Sequence, residues 1–369
     1  MKEVLLTVFL FAVTPFFIWK LSMVKQINIK QPVTSVVTPT VISQKTFFVK
    51  GSIPYWDQEN ALNDFKNHVE NFNYINLFWY YLGQDGMIQK YEYANEDRSI
   101  IAFAHENNVK VSAVITNLPD YSGAGWNSGR VENILINDEM RQSHIQNIVN
   151  KLRDYNFDGV IIDYELVRPS ARDKFTNYVR ELKEALRPEN KILTVVLHPK
   201  TGENVDNEKI GVFQDWKGLS VWADQLQIMG YSEHTDTDPS GPIASLPWVG
   251  KIIAYLESLN IPKDKLFLGI PLYGYDWNKD NDTAAEDLTF NDVRSLLSTY
   301  GAEEKWDNIR ESPYFTYTKN GRKHEVWFEN AKSVLAKVNI AKNAGLAGVT
   351  FWRLGEEDPE VWESLKSLR

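Results

Sequence analysis

Between Phe47 and Arg369 the chain alternates short runs of β-branched and aromatic residues with longer stretches whose apolar positions recur at helical spacing. The runs are FVKGSIPY (48–55), YINLFWYY (74–81), VKVSAVIT (109–116), GVIIDYE (159–165), ILTVVL (192–197), QLQIM (225–229), LFLGIPL (266–272) and GVTFW (348–352). Strand followed by helix, eight times over, predicts an α/β fold of the (β/α)8 TIM-barrel type. Helices are expected at 133–155, 170–186, 246–259 and 329–344, with Ser170 and Asn330 as capping candidates near two of their starts. The interval between the seventh and eighth runs is too long for one helix. Within it PYFTYTKNGRKHEVWFE reads as a hairpin turned by Asn320-Gly321, which predicts a small α+β insertion at about 278–328. A doubly wound open sheet is the competing architecture, but it leaves the count of eight as coincidence.

The N-terminus follows a different pattern. VLLTVFLFAVTPFFIW (4–19) is apolar, Lys20 interrupts it, and adding Leu21 to Val24 brings the stretch toward the roughly 20 residues of a membrane helix. A small-x-small cleavage site is missing, because Ser22 would need a small residue where Lys20 stands. Residues 1–25 are therefore expected to be a signal anchor or a signal peptide. The chain would be exported, either membrane-anchored and facing outside or secreted after cleavage. Residues 26–46, rich in Pro, Thr, Ser and Val, read as a flexible linker, which leaves 47–369 as the catalytic barrel.

Composition narrows the chemistry. The 369 residues include no cysteine, which removes disulfides, thiolate metal sites and cysteine nucleophiles, and six scattered histidines do not suggest a metal cluster. A net charge of -9 argues against nucleic acid as a partner. The chain carries 12 Trp, 17 Tyr and 18 Phe, a supply of flat rings suited to stacking on sugars as well as to core packing.

Chemistry in such a barrel sits at the C-terminal ends of the strands. The fourth run ends FDGVIIDYE, and strand alternation puts Ile161, Asp163 and Glu165 on one face. Two carboxylates there point together into the mouth, where burial is expensive unless it serves proton transfer or is neutralised. A rim salt bridge to Arg168, Arg353 or another base is the competing reading. Tyr55, Trp56, Trp79, Tyr80, Tyr273, Tyr275 and Trp277 lie near strand ends as candidate sugar platforms, with Asp276 a candidate polar contact. Trp327 would wall the groove or face the core of its own hairpin. His198 and Lys200 follow the fifth run and read as hydrogen-bonded rim residues.

FDGVIIDYE resembles the DGxDxDxE strand of glycoside hydrolase family 18, the chitinase-type family. LGIPLYGYDW (268–277), SGPIASLPWVGKI (240–252), PYFTYTKNGRKHEVWFENA (313–331) and GLAGVTFWRLGEEDPEVW (345–362) are similar to its bacterial spore-cortex-lytic and peptidoglycan-associated branch. The resemblance implies a retaining mechanism without an enzyme nucleophile. Glu165 would be the general acid and then the base, kept protonated by an aromatic cleft. Asp163, ionised, would orient the substrate's N-acetyl group; Tyr231, in IMGYSE, would hydrogen-bond it; Trp352 would floor the reacting sugar. The substrate would be an N-acetylglucosamine-containing polysaccharide, peptidoglycan or chitin, cleaved by a monomer with no metal or organic cofactor. One departure stands out. Ile161 occupies a position that is Asp, or Asn in the cortex-lytic branch, so Asp163 loses a partner. That loss motivates a second reading, a non-catalytic envelope-displayed glycan-binding protein.

Overall fold

The computed structural model describes residues 46–120, 125–202, 211–280 and 283–366. The expected N-terminal segment at 1–25 and the linker, up to residue 45, lie outside the described residues. Among the described residues, no helix is long and apolar enough to cross a membrane.

In chain order the strands are β1 (Phe48–Pro54), β2 (Tyr74–Leu82), β3 (Ile88–Lys90), β4 (Lys110–Thr116), β5 (Gly159–Asp163), β6 (Ile192–Leu197), β7 (Gln225–Ile228) and β8 (Leu266–Pro271). An insertion follows, with β9 (Gly274–Asn278), β10 (Glu286–Leu288), β11 (Lys305–Asp307), β12 (Ser312–Lys319) and β13 (Arg322–Phe328), before β14 (Gly348–Trp352). Strands β1, β2, β4, β5, β6, β7, β8 and β14 pair in parallel, and β1 bonds both β2 and β14, so the sheet closes into a barrel. Both faces of these strands are covered, which is why they read as nearly continuous apolar runs.

The helices sheath the barrel through one apolar stripe each. In the helix Arg172–Leu186 the buried residues are Phe175, Tyr178, Val179, Leu182 and Leu186, a helical period that faces the sheet. Asn330 caps the helix Ala331–Asn343 through a reciprocal pair of bonds with Ser333. Ser170 does not cap: it lies in a short 3-10 turn, and no side chain caps the helix that follows. The expected helix at 133–155 is two helices, Ser128–Ile136 and Asp138–Tyr155. They part at Asn137, whose extended backbone lets its side chain accept from the Met140 N–H.

The insertion is a five-stranded antiparallel sheet in the order β10-β9-β13-β12-β11, with the helix Phe290–Tyr300 packed on it around Val293, Phe315, Val326 and Phe328. Asn320 and Gly321 turn the β12–β13 hairpin with φ of 53° and 78°, the left-handed pair that a two-residue turn requires.

At the N-terminal end, opposite the strand ends that carry the site, the barrel interior holds Lys50. It is fully buried, donates to Gln225 Oε1 at 2.5 Å, and lies 3.8 Å from the Phe267 ring centroid. Thr194 donates to the same Gln225 oxygen at 2.9 Å. No carboxylate answers the charge in these contacts, and burial lowers the Lys50 amine from 10.5 to about 7. Below pH 7 the folded state must bury a charge that the unfolded chain solvates. Between pH 7 and 10.5 the folded state sheds a proton that the unfolded chain keeps, and stability rises with pH. Lys50→Met leaves Gln225 partnered by Thr194. It is expected to stabilise the fold by about 1–4 kcal/mol at pH 6, with a gain that shrinks toward pH 10. Urea unfolding at the two ends of that range checks this, and a variant less stable than wild type at pH 6 would contradict it.

Candidate active site

The mouth of the barrel holds a cavity of about 390 Å³, lined among others by Trp56, Asn76, Trp126, Asp163, Glu165, His198, Gln227, Tyr231, Tyr273 and Trp352. Strand β5 ends at Asp163, so Glu165 is not a strand residue as the alternation supposed but stands in the turn beyond it. That turn is clamped. Buried Asn117, just past β4, accepts from the Glu165 N–H at 2.8 Å and donates to the Glu165 carbonyl at 2.9 Å. Leu166 follows at a φ of 55°, a left-handed conformation that non-glycine residues adopt at some energetic expense. The clamp fixes the backbone on one side of that strained residue and keeps the Glu165 side chain in the cavity.

The two carboxyls are largely enclosed by the cavity, with little compensation. Burial pushes Asp163 up to about 7, and its Oδ1 has no hydrogen-bond partner. Glu165 is pushed well above the usual carboxylate range, first by burial and then by the neighbouring Asp163 charge. At neutral pH the pair retains a proton, and it resides on Glu165. Asp163, expected to be fully ionised, is instead held near its midpoint by burial, and the apolar Ile161 two residues before it on β5 has no donor to offset that. Tyr231 is buried and its hydroxyl is pushed well above its ordinary value by burial and by both carboxyls, so it is a hydrogen-bond donor throughout. Gly269 on β8 makes room for it: a Cβ there would stand 2.8 Å from Tyr231 Cε1.

The salt-bridge reading of the doublet does not hold for either arginine. Arg168 pairs with Glu132, and Arg353 with Asp57 at 2.6 Å. The base within ion-pair distance of Glu165 among the described residues is His198, with Nε2 3.4 Å from Oε2. Burial and the Lys200 charge hold that ring down at about 3, so it is neutral and not a rim residue.

The aromatic candidates divide. Trp352 lies at the end of β14 with Phe78 and Trp56 against it, ring centroids 5.4 and 6.1 Å away. Trp56 is 48% exposed, an open platform at the rim. Tyr273 lines the main cavity and, with Trp56 and Trp352, a neighbouring pocket that adds Tyr275, Asp287 and Arg353. Tyr55 is not brought to the cavity; it stacks on Tyr91 at 4.1 Å. Trp79 and Tyr80 are core, bonded to Gln58 and Glu96. Trp277 is buried and donates its indole N–H to the Asp238 carbonyl, away from the carboxylates. Asp276 faces the insertion's interior, where it accepts from the Tyr317 hydroxyl at 2.5 Å and meets His324 Nδ1 at 2.9 Å. Alternation along β9 puts it opposite Tyr275 and Trp277, so it is not a contact in the cleft. Trp327 stacks on Tyr314 at 4.7 Å within its hairpin.

Sequence reasoning missed Asn117, Trp126, Asn76 and Gln227. Asn76 and Gln227 occupy inward positions of β2 and β7, and polar residues inside strand patterns were the available signal. Asn117 and Trp126 come from loops, and no periodicity marks them. Among the described residues no group of three or more His, Cys, Asp or Glu could hold a metal ion.

Comparison with known proteins agrees with this geometry. The chain is 28% identical over 333 residues to the cortical fragment-lytic enzyme of Bacillus anthracis, covering 89% of this chain and 75% of the relative. Among solved structures it is similar to the spore cortex-lytic enzyme SleL of Bacillus cereus, with a TM-score of 0.79, 25% identity, and coverage of 87% of this chain and 73% of that one. It is also similar to a chitinase from Chromobacterium violaceum, with a TM-score of 0.77, 26% identity, and coverage of 87% and 98%. The description Glycosyl hydrolases family 18 matches residues 51–357, and the chain belongs to that family of glycoside hydrolases.

Proposed function

We propose that this hydrolase cleaves bonds next to N-acetylglucosamine in peptidoglycan by a retaining mechanism in which the substrate's own acetamido group is the nucleophile. The observation that carries it is the buried pair of carboxyls on one strand end, one protonated and one close to its midpoint, beside a permanently protonated Tyr231. Both come from one side of the cavity. Among the described residues that line it, no further carboxyl stands across the cleft to activate water on the opposite face, as a two-carboxylate inverting scheme requires.

The steps follow from these positions. Glu165 gives its proton to the glycosidic oxygen as the C1–O bond breaks. The acetamido oxygen, already tethered to the reacting sugar, bonds to C1 from the other face. Ionised Asp163 accepts from the acetamido N–H and balances the positive charge of the ring that forms, while Tyr231 donates to the acetamido oxygen. Glu165, now a carboxylate, takes a proton from water as that water bonds to C1, and the acetamido group is released. Two inversions at C1 give retention. The Trp352 indole supports the sugar's apolar face. The names of the Bacillus relatives favour a spore or wall peptidoglycan over chitin. In this reading residues 1–25 deliver the chain outside the membrane, where that polymer lies.

Glu165→Gln is expected to lower kcat by about 10²–10⁴-fold while glycan binding persists. Release of reducing ends from purified peptidoglycan and from chitooligosaccharides, with the first-formed anomer followed by NMR, checks this and identifies the polymer. The orphaned Asp163 oxygen favours one alternative, and the same assay reads it. No cleavage of either glycan, with binding unaltered in Glu165→Gln, would make the protein a glycan-binding module.

The pH dependence has a definite sign. Asp163 must lose its proton and Glu165 must keep one, so kcat/KM rises as pH climbs through about 7 and falls again only when Glu165 ionises. Ile161→Asn supplies an amide donor that favours the Asp163 carboxylate, and the acid limb is expected to move to lower pH by about one unit. An acid limb near pH 4 in wild type, or one unmoved in the variant, would refute this assignment.

A further inference from the structure

His198 is a side chain that the catalytic steps above leave without a task. It stands immediately past β6, 8% exposed, at the same level of the barrel as the carboxyls. Its Nε2 lies 3.4 Å from Glu165 Oε2 and makes no hydrogen bond among the described residues. A buried polar nitrogen left in that state is rare enough to need a reason. The separation is long for a finished N–H···O bond, as is common when a site awaits its substrate.

The ring is held from behind. The His198 backbone N–H donates to Gln214 Oε1 at 2.8 Å, and Gln214 Nε2 donates to the Val196 carbonyl at 2.9 Å, so the Gln214 amide brackets the end of β6. Buried Lys200 donates to the Gln214 carbonyl at 2.8 Å and fixes the same segment. Among the described residues, the titratable groups around the ring are Glu165 and Asp163 from the end of β5, Tyr231 beyond β7, and Lys200 on its own strand end. Burial and Lys200 together hold the imidazole neutral across any working pH. A ring in this seat exchanges no proton with substrate. It presents a fixed donor or acceptor.

We propose that His198 is a positioning residue for Glu165: a neutral ring protonated on Nε2 that donates to Oε2 and leaves Oε1 to carry the catalytic proton. The proposal rests on the catalytic reading above. Oε2 of a carboxylic acid protonated on Oε1 is an acceptor, and so is either oxygen of the carboxylate, so one donor serves both halves of the reaction. The carboxyl cannot then rotate away after giving up its proton, and the charge it acquires meets a hydrogen bond already in place.

The test compares His198→Leu, which fills similar space without a donor, with His198→Gln, whose amide Nε2 can occupy the place of the ring nitrogen. With the full chain acting on the polysaccharide, His198→Leu is expected to lower kcat about tenfold or more with KM within about twofold. Losing a donor to the carboxylate should also raise the Glu165 pKa, so the basic limb of kcat/KM moves to higher pH. His198→Gln is expected to restore both. Equal losses in the two variants with an unmoved basic limb would reduce His198 to packing and overturn the proposal. A second measurement needs no turnover. Imidazole ¹⁵N resonances of the full-length protein, with His198 assigned through its disappearance in His198→Gln, should show Nε2 protonated and shifting as Glu165 titrates, with the shift absent in Glu165→Gln. A ring unresponsive to Glu165→Gln would overturn the proposal as well. A responsive ring in a protein that cleaves no glycan would count against the hydrolase reading alone.

Discussion

Charge in an enclosed, mostly apolar cavity is the constraint on which the rest of the site depends. Asp163 and Glu165 are two residues apart at one strand end; burial raises the proton affinity of both, and the Asp163 charge raises that of Glu165 further. Such a pair is useful only if nothing neutralises it. Among the described contacts, the cations near the mouth are engaged elsewhere: Arg168 with Glu132, Arg353 with Asp57, Lys200 with the Gln214 carbonyl. A guanidinium against Glu165 would have secured the fold more firmly and discharged the acid. Instead the backbone bears the positioning, through the two bonds from Asn117 and the left-handed Leu166 beyond them.

The barrel supplies two unlike ends for this arrangement. At the N-terminal end Lys50, Gln225, Thr194 and the Phe267 ring pack together with Lys50 fully buried. At the other end the inward positions become Asp163, His198, Tyr231, Tyr273 and Trp352, which surround a cavity. The insertion extends this end without a break. Tyr273 lies between β8 and β9, so the barrel wall passes into the inserted sheet within three residues of the end of β8. Tyr275, next on the same face of β9, adds a ring beside Tyr273 at 5.4 Å.

How far this was legible follows from what each feature depends on. The eight barrel strands and the hairpin turn depend on local pattern, namely branched and aromatic runs and an Asn-Gly pair, and both are where the sequence puts them. Asp163 and Glu165 were legible because acidic residues in an apolar strand are conspicuous. The break at Asn137 was not, because an asparagine inside a helical pattern becomes a cap only when the next helix turns away to pack. Asp276 was misjudged although alternation along its own strand already opposed it to Tyr275. His198 was read by residue type, as a rim histidine, when it is covered by Phe213 and Gln214 from a segment that sequence proximity does not bring to mind. Lys50 carried no warning either: one lysine in a strand looks like an outward residue until closure of the sheet sets its face.

Ile161 and His198 act on the two carboxyls in opposite senses. An apolar side chain beneath Asp163 deepens its burial and withholds a donor, which raises its proton affinity toward that of Glu165 and narrows the gap between the two. A neutral donor beside Glu165 favours the carboxylate and narrows that gap from the other side. Acid catalysis needs the proton on Glu165 and the charge on Asp163, so it depends on the gap staying open. What keeps it open is the direction of the coupling: burial raises both carboxyls, and the Asp163 charge adds a further push to Glu165 in the state where catalysis needs it. The order of ionisation is therefore self-reinforcing. Once Asp163 gives up its proton, Glu165 holds its own more tightly, and the two carboxyls separate into base-like and acid roles without a cation to tell them apart.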